Sequence, residues 1–399
     1  MLSSTFPYPA TRGGTQVRTF NLLDYLSRRH TVTMVTQREA DVSDMDIFNL
    51  RERVDNLVVF DRPRDTSGSA VGKVKRFGTF VARLTPPSVL NRYSKEMQSW
   101  IDDFVEAGKC DVITCEHSVN EIYIKPDFQE KVKTIVNVHS SVYASCRNQL
   151  ETGISENKLR DQLNLPLLRR YEQKYCQKFS DIVVTTEEDK IQLLEFKPDA
   201  KIPVIPNGVD LVSFPYRTLD PDGHRIVFVG AMDNLANIDA VCFFCNEVLP
   251  EIQKLYPDAT FDIVGSRPAP EVLELQNKSG VNVTGRVPSM VEYLHQATVC
   301  VVTMRTGFGI KNKTLEAMAA GTPVIGSDRG LEGLVCDLPN VPRRAMRANQ
   351  PSEYVKAISQ LFENPQLRAE LSHNARQYVE SEFTWERAGQ LYEEVCIGV

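Results

Sequence analysis

Long apolar runs are missing from this sequence. Its longest continuous stretches, such as residues 299–304, are strand-sized, well short of the ~18 residues that cross a bilayer. Residues 1–14 lack a charged start followed by an apolar block, so no secretory signal is expected. An excess of positive charge is missing too. Lys and Arg number 46 against 52 Asp and Glu, a net charge of −6, which disfavours a dedicated nucleic-acid binder. The nine cysteines are an odd number without disulfide or zinc spacing, so no metal site is expected. Cys242 and Cys245 form one C-x-x-C, but they sit in an apolar helical pattern and read as core residues. These features together predict a cytoplasmic protein.

What is present is ordinary globular material, 42% hydrophobic and 25% charged. A length of 399 residues suggests two domains. Strand-sized apolar runs alternate with helix-period segments almost throughout. Strands are predicted at 32–36, 57–60, 111–114, 134–138, 182–185 and 203–205, then at 226–230, 261–265, 281–285, 299–304 and 323–327. Most are rich in Val and Ile without polar alternation, the signature of strands buried on both faces. Val241, Phe244, Val248, Leu249, Ile252 and Leu255 recur at helical spacing between Asn237 and Tyr256. The pattern is that of open parallel α/β sheets with right-handed crossovers.

The alternation breaks at residues 213–224, which hold Pro215, Pro221, Asp222 and Gly223. We read a first Rossmann-like domain at 1–210, a linker at 211–224 and a second at 225–378. A last amphipathic helix lies in 379–399, carried by Trp385, Ala388, Leu391, Tyr392 and Val395. Only residues 1–4 are left to supply a first strand before the turn at Gly13 and Gly14. Either this strand is very short, and a stub pairing is predicted there, or the natural chain begins upstream of Met1.

Ligands of open α/β sheets lie beyond the carboxyl ends of the strands, so polar loops there are candidate sites. The first loop, Arg12-Gly13-Gly14-Thr15, leads into a helix. It is either a close-approach site for an anionic or hydroxyl-rich group, or a tight turn. His139, just past a buried strand in Asn137-Val138-His139-Ser140-Ser141, is either a site residue or a hydrogen-bonded histidine. His117 and Glu116 are weaker candidates of the same kind. Asn207-Gly208-Val209-Asp210 is a turn signal at the domain junction.

The most informative stretch follows residue 304. A glycine-spaced loop with Gly307, Gly309 and Ile310 runs into a helix start carrying Lys311, Asn312 and Lys313. Free amides, the positive end of a helix dipole and two ammonium groups favour phosphate. Glu316, one turn on, could accept hydrogen bonds from ribose hydroxyls or pair with Lys313. This is not a P-loop, because G-x-x-x-x-G-K-[ST] is absent.

At these residues the chain resembles the retaining GT-B glycosyltransferases of family 4. The resemblance runs through Phe6-Pro7-Tyr8-Pro9 with Gly13-Gly14, Asn207-Gly208-Val209-Asp210, Phe228-Val229-Gly230 and Gly285-Arg286-Val287-Pro288. It ends on Leu315-Glu316-Ala317-Met318-Ala319-Ala320-Gly321-Thr322-Pro323-Val324. The family implies two facing Rossmann-like domains with a cleft between them. It also implies retaining transfer of a sugar from a nucleotide-sugar co-substrate, without an obligatory metal or resident cofactor. By analogy the loop of Gly307, Gly309, Ile310, Lys311, Asn312 and Lys313 would hold the diphosphate, and Glu316 the ribose, with Gly230 also among the donor-binding residues. Arg286 and Val287 would hold the base, and His139 would contact the donor sugar. Gly13 and Gly14 would line the diphosphate or acceptor side, Asn207 would lie at the junction, and the final helix would return to the first domain.

Two departures stand out. The family's E-x7-E pattern would place a first glutamate at Phe308, and none is there. The Arg and Lys common after the strand that opens the second domain are absent from residues 231–237. Lys311 and Lys313 are expected to take over that cationic role. No paired carboxylates suggest a glycosidase. Lys73, Lys75, Arg76, Arg83 and Arg92 interleave with Val74, Phe77, Phe80, Val81 and Leu84. This is either a patch for anionic lipid or a solvated helix face. The acceptor is expected to be a glycolipid or polysaccharide precursor. Other readings are a sugar-nucleotide epimerase or phosphorylase of the same architecture, or a non-catalytic nucleotide-sugar binder.

Overall fold

The computed structural model describes residues 1–10, 13–63, 78–155, 157–307 and 309–398. Arg12, Phe308 and the Lys73, Val74, Lys75, Arg76 and Phe77 part of the basic stretch lie outside them. The described residues form two compact units, Met1–Pro206 with Ala388–Val399, and Asn207–Arg387.

The first unit carries a six-stranded parallel sheet of β1 (Leu2–Ser3), β2 (Thr33–Arg38), β3 (Asn56–Asp61), β4 (Val112–Glu116), β5 (Lys133–Val138) and β6 (Asp181–Val184), in the order β3-β2-β1-β4-β5-β6. The second carries β7 (Arg225–Val229), β8 (Thr260–Val264), β9 (Val281–Gly285), β10 (Val299–Val302), β11 (Val324–Gly326) and β12 (Met346–Arg347), in the order β12-β11-β10-β7-β8-β9. Ile226, Val227 and Phe228 are fully buried, as are all four residues of β10. Helices cover both faces, so these strands need apolar side chains in both directions. Each sheet has its own core, one running from Leu2 to Ile202 and the other from Val209 to Phe383.

β1 is the expected stub. Its two residues pair with Val35 and Thr36 of β2, and Leu2 also pairs with Cys115 of β4. The strand predicted at 203–205 is reduced to an isolated bridge between Val184 and Val204. Pro203 has no N–H to give a ladder. The long helix predicted from Asn237 to Tyr256 exists as two α-helices, Leu235–Phe243 and Leu249–Leu255, joined by a π turn at Phe244–Val248. Pro250 explains the turn, because it cannot donate to the carbonyl four residues back. Cys245 is buried in this core and Cys242 packs against it; all nine cysteines are free.

Residues 211–224 carry no helix or strand. They are nonetheless fixed within the second unit. Arg217 donates to the Ala297 carbonyl at 2.8 Å, and its amide donates to Ala320. Arg368 reaches Asp220 at 2.7 Å and Asp222 at 2.9 Å. The last helix, Trp385–Ile397, buries Ala388, Gly389 and Tyr392. From Ala388 onward it belongs to the first unit, where a Cβ on Gly389 would fall 2.2 Å from the Tyr25 ring. Among the described residues no helix is long and apolar enough to cross a membrane.

Candidate functional site

In the second sheet the strand order reverses direction between β7 and β10, the position where open α/β sheets expose two diverging loops. The loop after β7 begins at Gly230 and enters the helix Leu235–Phe243. The loop after β10 begins at Thr303 and enters the helix Asn312–Ala319. Arg305 is tied to Asp239 by an ion pair and fixes the start of this second loop. Gly307 and Gly309 sit at φ 89° and 81°, a conformation that favours glycine. Ile310 is buried beneath.

Lys313 is drawn inward. Its Nζ donates to Asn237 Oδ1 at 2.5 Å and stands 4.1 Å from the centre of the Phe228 ring. Burial pulls its pKa down from 10.5 to about 7. Gly230 sits at φ 157°, a conformation that favours glycine, and a Cβ there would lie 2.8 Å from that same Nζ. One turn on, burial lifts the Glu316 carboxyl from 4.5 to about 7, against the pull of Lys313. Among the described residues the Glu316 carboxylate has no hydrogen-bond partner.

Lys311 occupies the cap position of the helix and has no capping side-chain bond. Its ammonium reaches the Gly309 carbonyl and lies 3.2 Å from Glu332, a nearly buried carboxylate that also binds Arg329 at 3.1 Å. The helix has no acidic residue in its first turn, so nothing of its own opposes its positive end. Asn312 accepts from Asn207 at 2.8 Å. Gly208 beside it allows close backbone approach, because a Cβ would meet Trp385 N at 2.4 Å. Asp210 accepts from Val212 N and from the Ser213 hydroxyl. Of this motif only Asn207 therefore reaches the candidate site, and the rest builds the chain path. Arg286 is exposed at the end of β9, and Val287 packs on the core. The residues thus gather in one unit, with Arg286 and Val287 two strands from β7.

The first unit has a corresponding set at its own reversal, between β1 and β4. Gly13 caps the helix Gly14–Ser27 at φ 177°, extended backbone open to any residue, and a Cβ on Gly14 would meet nothing within 4 Å. The turn itself does not demand the glycine pair. His139 follows β5, and its ring lies edge-on to His117 with centroids 4.9 Å apart. Its Nε2 is buried without a hydrogen-bond partner. Burial, then His117 and Arg18, hold its pKa well below 6.5, and His117 is pulled down to about 4, mainly by burial. Both rings are neutral at pH 7.

Glu116 corrects an expectation. Its carboxylate turns into the interior, accepting from Tyr392 at 2.7 Å and from Asn137 at 2.9 Å. Asn137 in turn accepts from Arg18 Nε at 3.0 Å. A fully buried, satisfied carboxylate is a structural anchor. In the basic stretch, Phe80 is buried, and Arg92 NH1 donates to Thr5 at 3.0 Å, so neither is a free surface group. Sequence reasoning did not single out Arg329 or Glu332, took Asn237 only as the start of a helical pattern, and named Phe228 only within the Phe228-Val229-Gly230 motif. The one signal in the sequence was the position of Asn237, in the first turn after β7.

A family model described as Glycosyltransferase Family 4 matches residues 12–213, and one described as Glycosyl transferases group 1 matches residues 223–364. YtcC of Bacillus subtilis, named as a glycosyltransferase, is 26% identical over 53% of this chain and 58% of its own length. The chain thus spans little more than half of that relative. A 44.6 kDa protein of the Klebsiella pneumoniae cps region is 19% identical, covering 96% of this chain and 95% of its own. Among solved structures, HepE of Anabaena in complex with UDP has a TM-score of 0.64 at 14% identity. That match covers 100% of this chain and 99% of that one, a likeness of fold.

Proposed function

This chain belongs to glycosyltransferase family 4, and on that footing we propose that it moves a sugar, with retention, from a nucleoside-diphosphate sugar to a hydroxyl acceptor. The observation that carries the reading is the start of the helix Asn312–Ala319. Two lysines, an unopposed helix N-terminus and an unpartnered carboxylate one turn on converge at the reversal point of a parallel sheet. Lys311 and Lys313, with the amides of the loop at Gly307, Gly309 and Ile310, are assigned to the diphosphate. Gly230 leaves room for the phosphate to approach Lys313. Glu316 is assigned to the ribose, and Arg286 and Val287 to the base. The lysines supply the charge that a leaving diphosphate needs, so the proposed reaction uses no metal.

His139 is assigned to the donor sugar. A neutral imidazole with a buried, unpartnered Nε2 can exchange a hydrogen bond with a hydroxyl without adding charge. Gly13 and Gly14 are assigned to close backbone approach of the donor or acceptor. A UDP-sugar donor is favoured by the UDP-bound relative of the fold, with GDP-sugars next. A polysaccharide or glycolipid precursor is favoured as acceptor by the cps-region relative. Nine free cysteines fit a cytoplasmic setting.

The test is a thermal-shift screen with UDP-, GDP- and ADP-sugars, followed by titration of the one that binds. A donor at about a hundred times its Kd should add ~2.7 kcal/mol of stability. Lys311→Ala should cost about 1.5–3 kcal/mol of donor binding. No shift with any donor, or an unchanged Lys311→Ala, would sink the proposal. The second reading, a nucleotide-sugar binder without catalysis, is motivated by the absence of a glutamate eight residues before Glu316. His139→Ala separates the two. Loss of turnover with binding retained indicates an enzyme.

A further inference from the structure

Resting on that reading, we propose that Glu332 is the carboxylate that binds hydroxyls of the donor sugar. Between β10 and the helix Asn312–Ala319 there is no acidic residue at all. The loop that presents the phosphate-binding groups therefore offers no carboxylate of its own. A transferred sugar presents hydroxyls, and fixing which epimer is accepted needs a well-placed acceptor.

Glu332 reaches the Gly309–Lys311 end of this loop from elsewhere, as Asp239 reaches its start at Arg305. It lies in the turn after β11, the strand that pairs with β10. Its Oε2 is 3.2 Å from the Lys311 ammonium, which also holds the Gly309 carbonyl, so it stands against the loop backbone at Gly309. The turn that bears it is fastened in place. The Ser327 hydroxyl donates to the Met304 carbonyl at 2.5 Å and accepts from Gly330 N at 2.9 Å. Thr314, from the first turn of the same helix, donates to the Gly330 carbonyl at 2.8 Å. A Cβ on Gly330 would fall 2.3 Å from the Val302 carbonyl, so the turn lies closer against β10 than any other residue would allow.

Two cations flank the carboxylate, Lys311 on Oε2 and Arg329 on Oε1. An ionised carboxylate has roughly four acceptor directions, so a sugar hydroxyl is proposed to bind beside the two cations. Lys311 thereby links two tasks, with phosphate on one side of its ammonium and the sugar-binding carboxylate on the other. The carboxylate missing from the β10 loop is restored across the sheet from the β11 turn.

The experiment compares UDP with UDP-glucose, and GDP with GDP-mannose, on the full chain and its Glu332→Gln and Glu332→Asp variants. Calorimetry gives Kd, and turnover gives KM and kcat. For Glu332→Gln the nucleotide alone should bind within about threefold of the parent. The nucleotide sugar should weaken by about 10–100-fold, the loss expected for a charged hydrogen bond. Glu332→Asp, which keeps the charge at shorter reach, should fall between. Equal loss for nucleotide and nucleotide sugar would reduce Glu332 to a positioner of Lys311 and overturn the inference. So would full activity in both variants. A parent chain that binds none of the four ligands overturns the proposed function as well, which distinguishes the two failures.

Discussion

At the scale of single residues, Lys313 carries the most specific consequence. Its folded pKa of about 7 lies below the usual 10.5 because burial strips water from the ammonium and Lys311 repels it, although the Phe228 ring and the Asn237 acceptor favour the charged form. The unfolded chain therefore holds a proton that the folded chain has released between pH 7 and 10.5. This group penalises the fold fully below pH 7, and the penalty is relieved as pH rises through that window. A diphosphate reverses the preference and pulls the proton back. Calorimetry at pH 8 in buffers of different ionisation enthalpy should show uptake approaching one proton per UDP. Affinity should fall as pH rises above 7. Lys313→Met should abolish both effects; proton uptake that persists in Lys313→Met would place the titration elsewhere.

Residue identities of this kind were legible in sequence only in part. Lys311, Lys313 and Glu316 were visible because a glycine-spaced loop that opens a helix on two lysines reads in sequence as a candidate anion site. Their environment was not. Phe228 and Glu332 lie far from the lysines in the chain, and only the parallel order β11-β10-β7 brings them near. Glu116 looked like a loop residue at the end of β4. It is internal because Tyr392, 276 positions later, binds it.

At the scale of elements, the loop after β5 is held by the helix Lys158–Cys176. Glu172 accepts from the Ser141 hydroxyl at 2.7 Å and from Val142 N at 2.8 Å, and so fastens the turn two residues beyond His139. Burial lifts its pKa from 4.5 to about 7. The folded chain then keeps a proton that the unfolded chain loses between those values, so this contribution to stability declines as pH rises from 4.5 to 7. Glu172→Gln should flatten that part of the urea-measured stability profile; an unchanged slope would show that other groups set it. Tyr392→Phe removes one partner of a buried carboxylate and should cost about 1–3 kcal/mol of stability. Urea denaturation measures it, and a change under about 0.5 kcal/mol, the scatter of ordinary surface substitutions, would contradict the assignment.

Elements were the most readable level. Long Val- and Ile-rich runs gave the strands, whereas β12 has two residues and no apolar run to announce it. The π turn at Phe244–Val248 was hidden because Pro250 leaves the apolar spacing intact while removing one hydrogen bond.

At the scale of the whole molecule, two separate cores imply two cooperative units. Calorimetric heating should resolve two transitions, and UDP should raise the one that belongs to Asn207–Arg387, where Lys311, Lys313 and Glu316 reside. A UDP shift confined to the other transition would place the nucleotide on the wrong unit. Two lobes were foreseeable from the interrupted β/α alternation. That residues 211–224 are riveted to the second unit by Arg217 and Arg368 was not, since Arg217 finds Ala297 80 positions away and Arg368 finds Asp220 148 positions away.

The membership of Ala388–Val399 in the first unit has a consequence for biosynthesis. The lobe that leaves the ribosome first is the one that must wait. Until the final helix has been made, Glu116 has no Tyr392 and Tyr25 has no Gly389 to pack on. The other lobe, Asn207–Arg387, is encoded without interruption and needs none of those residues. A chain truncated after Arg387 should therefore expose Met1–Pro206 to protease and leave Asn207–Arg387 shielded.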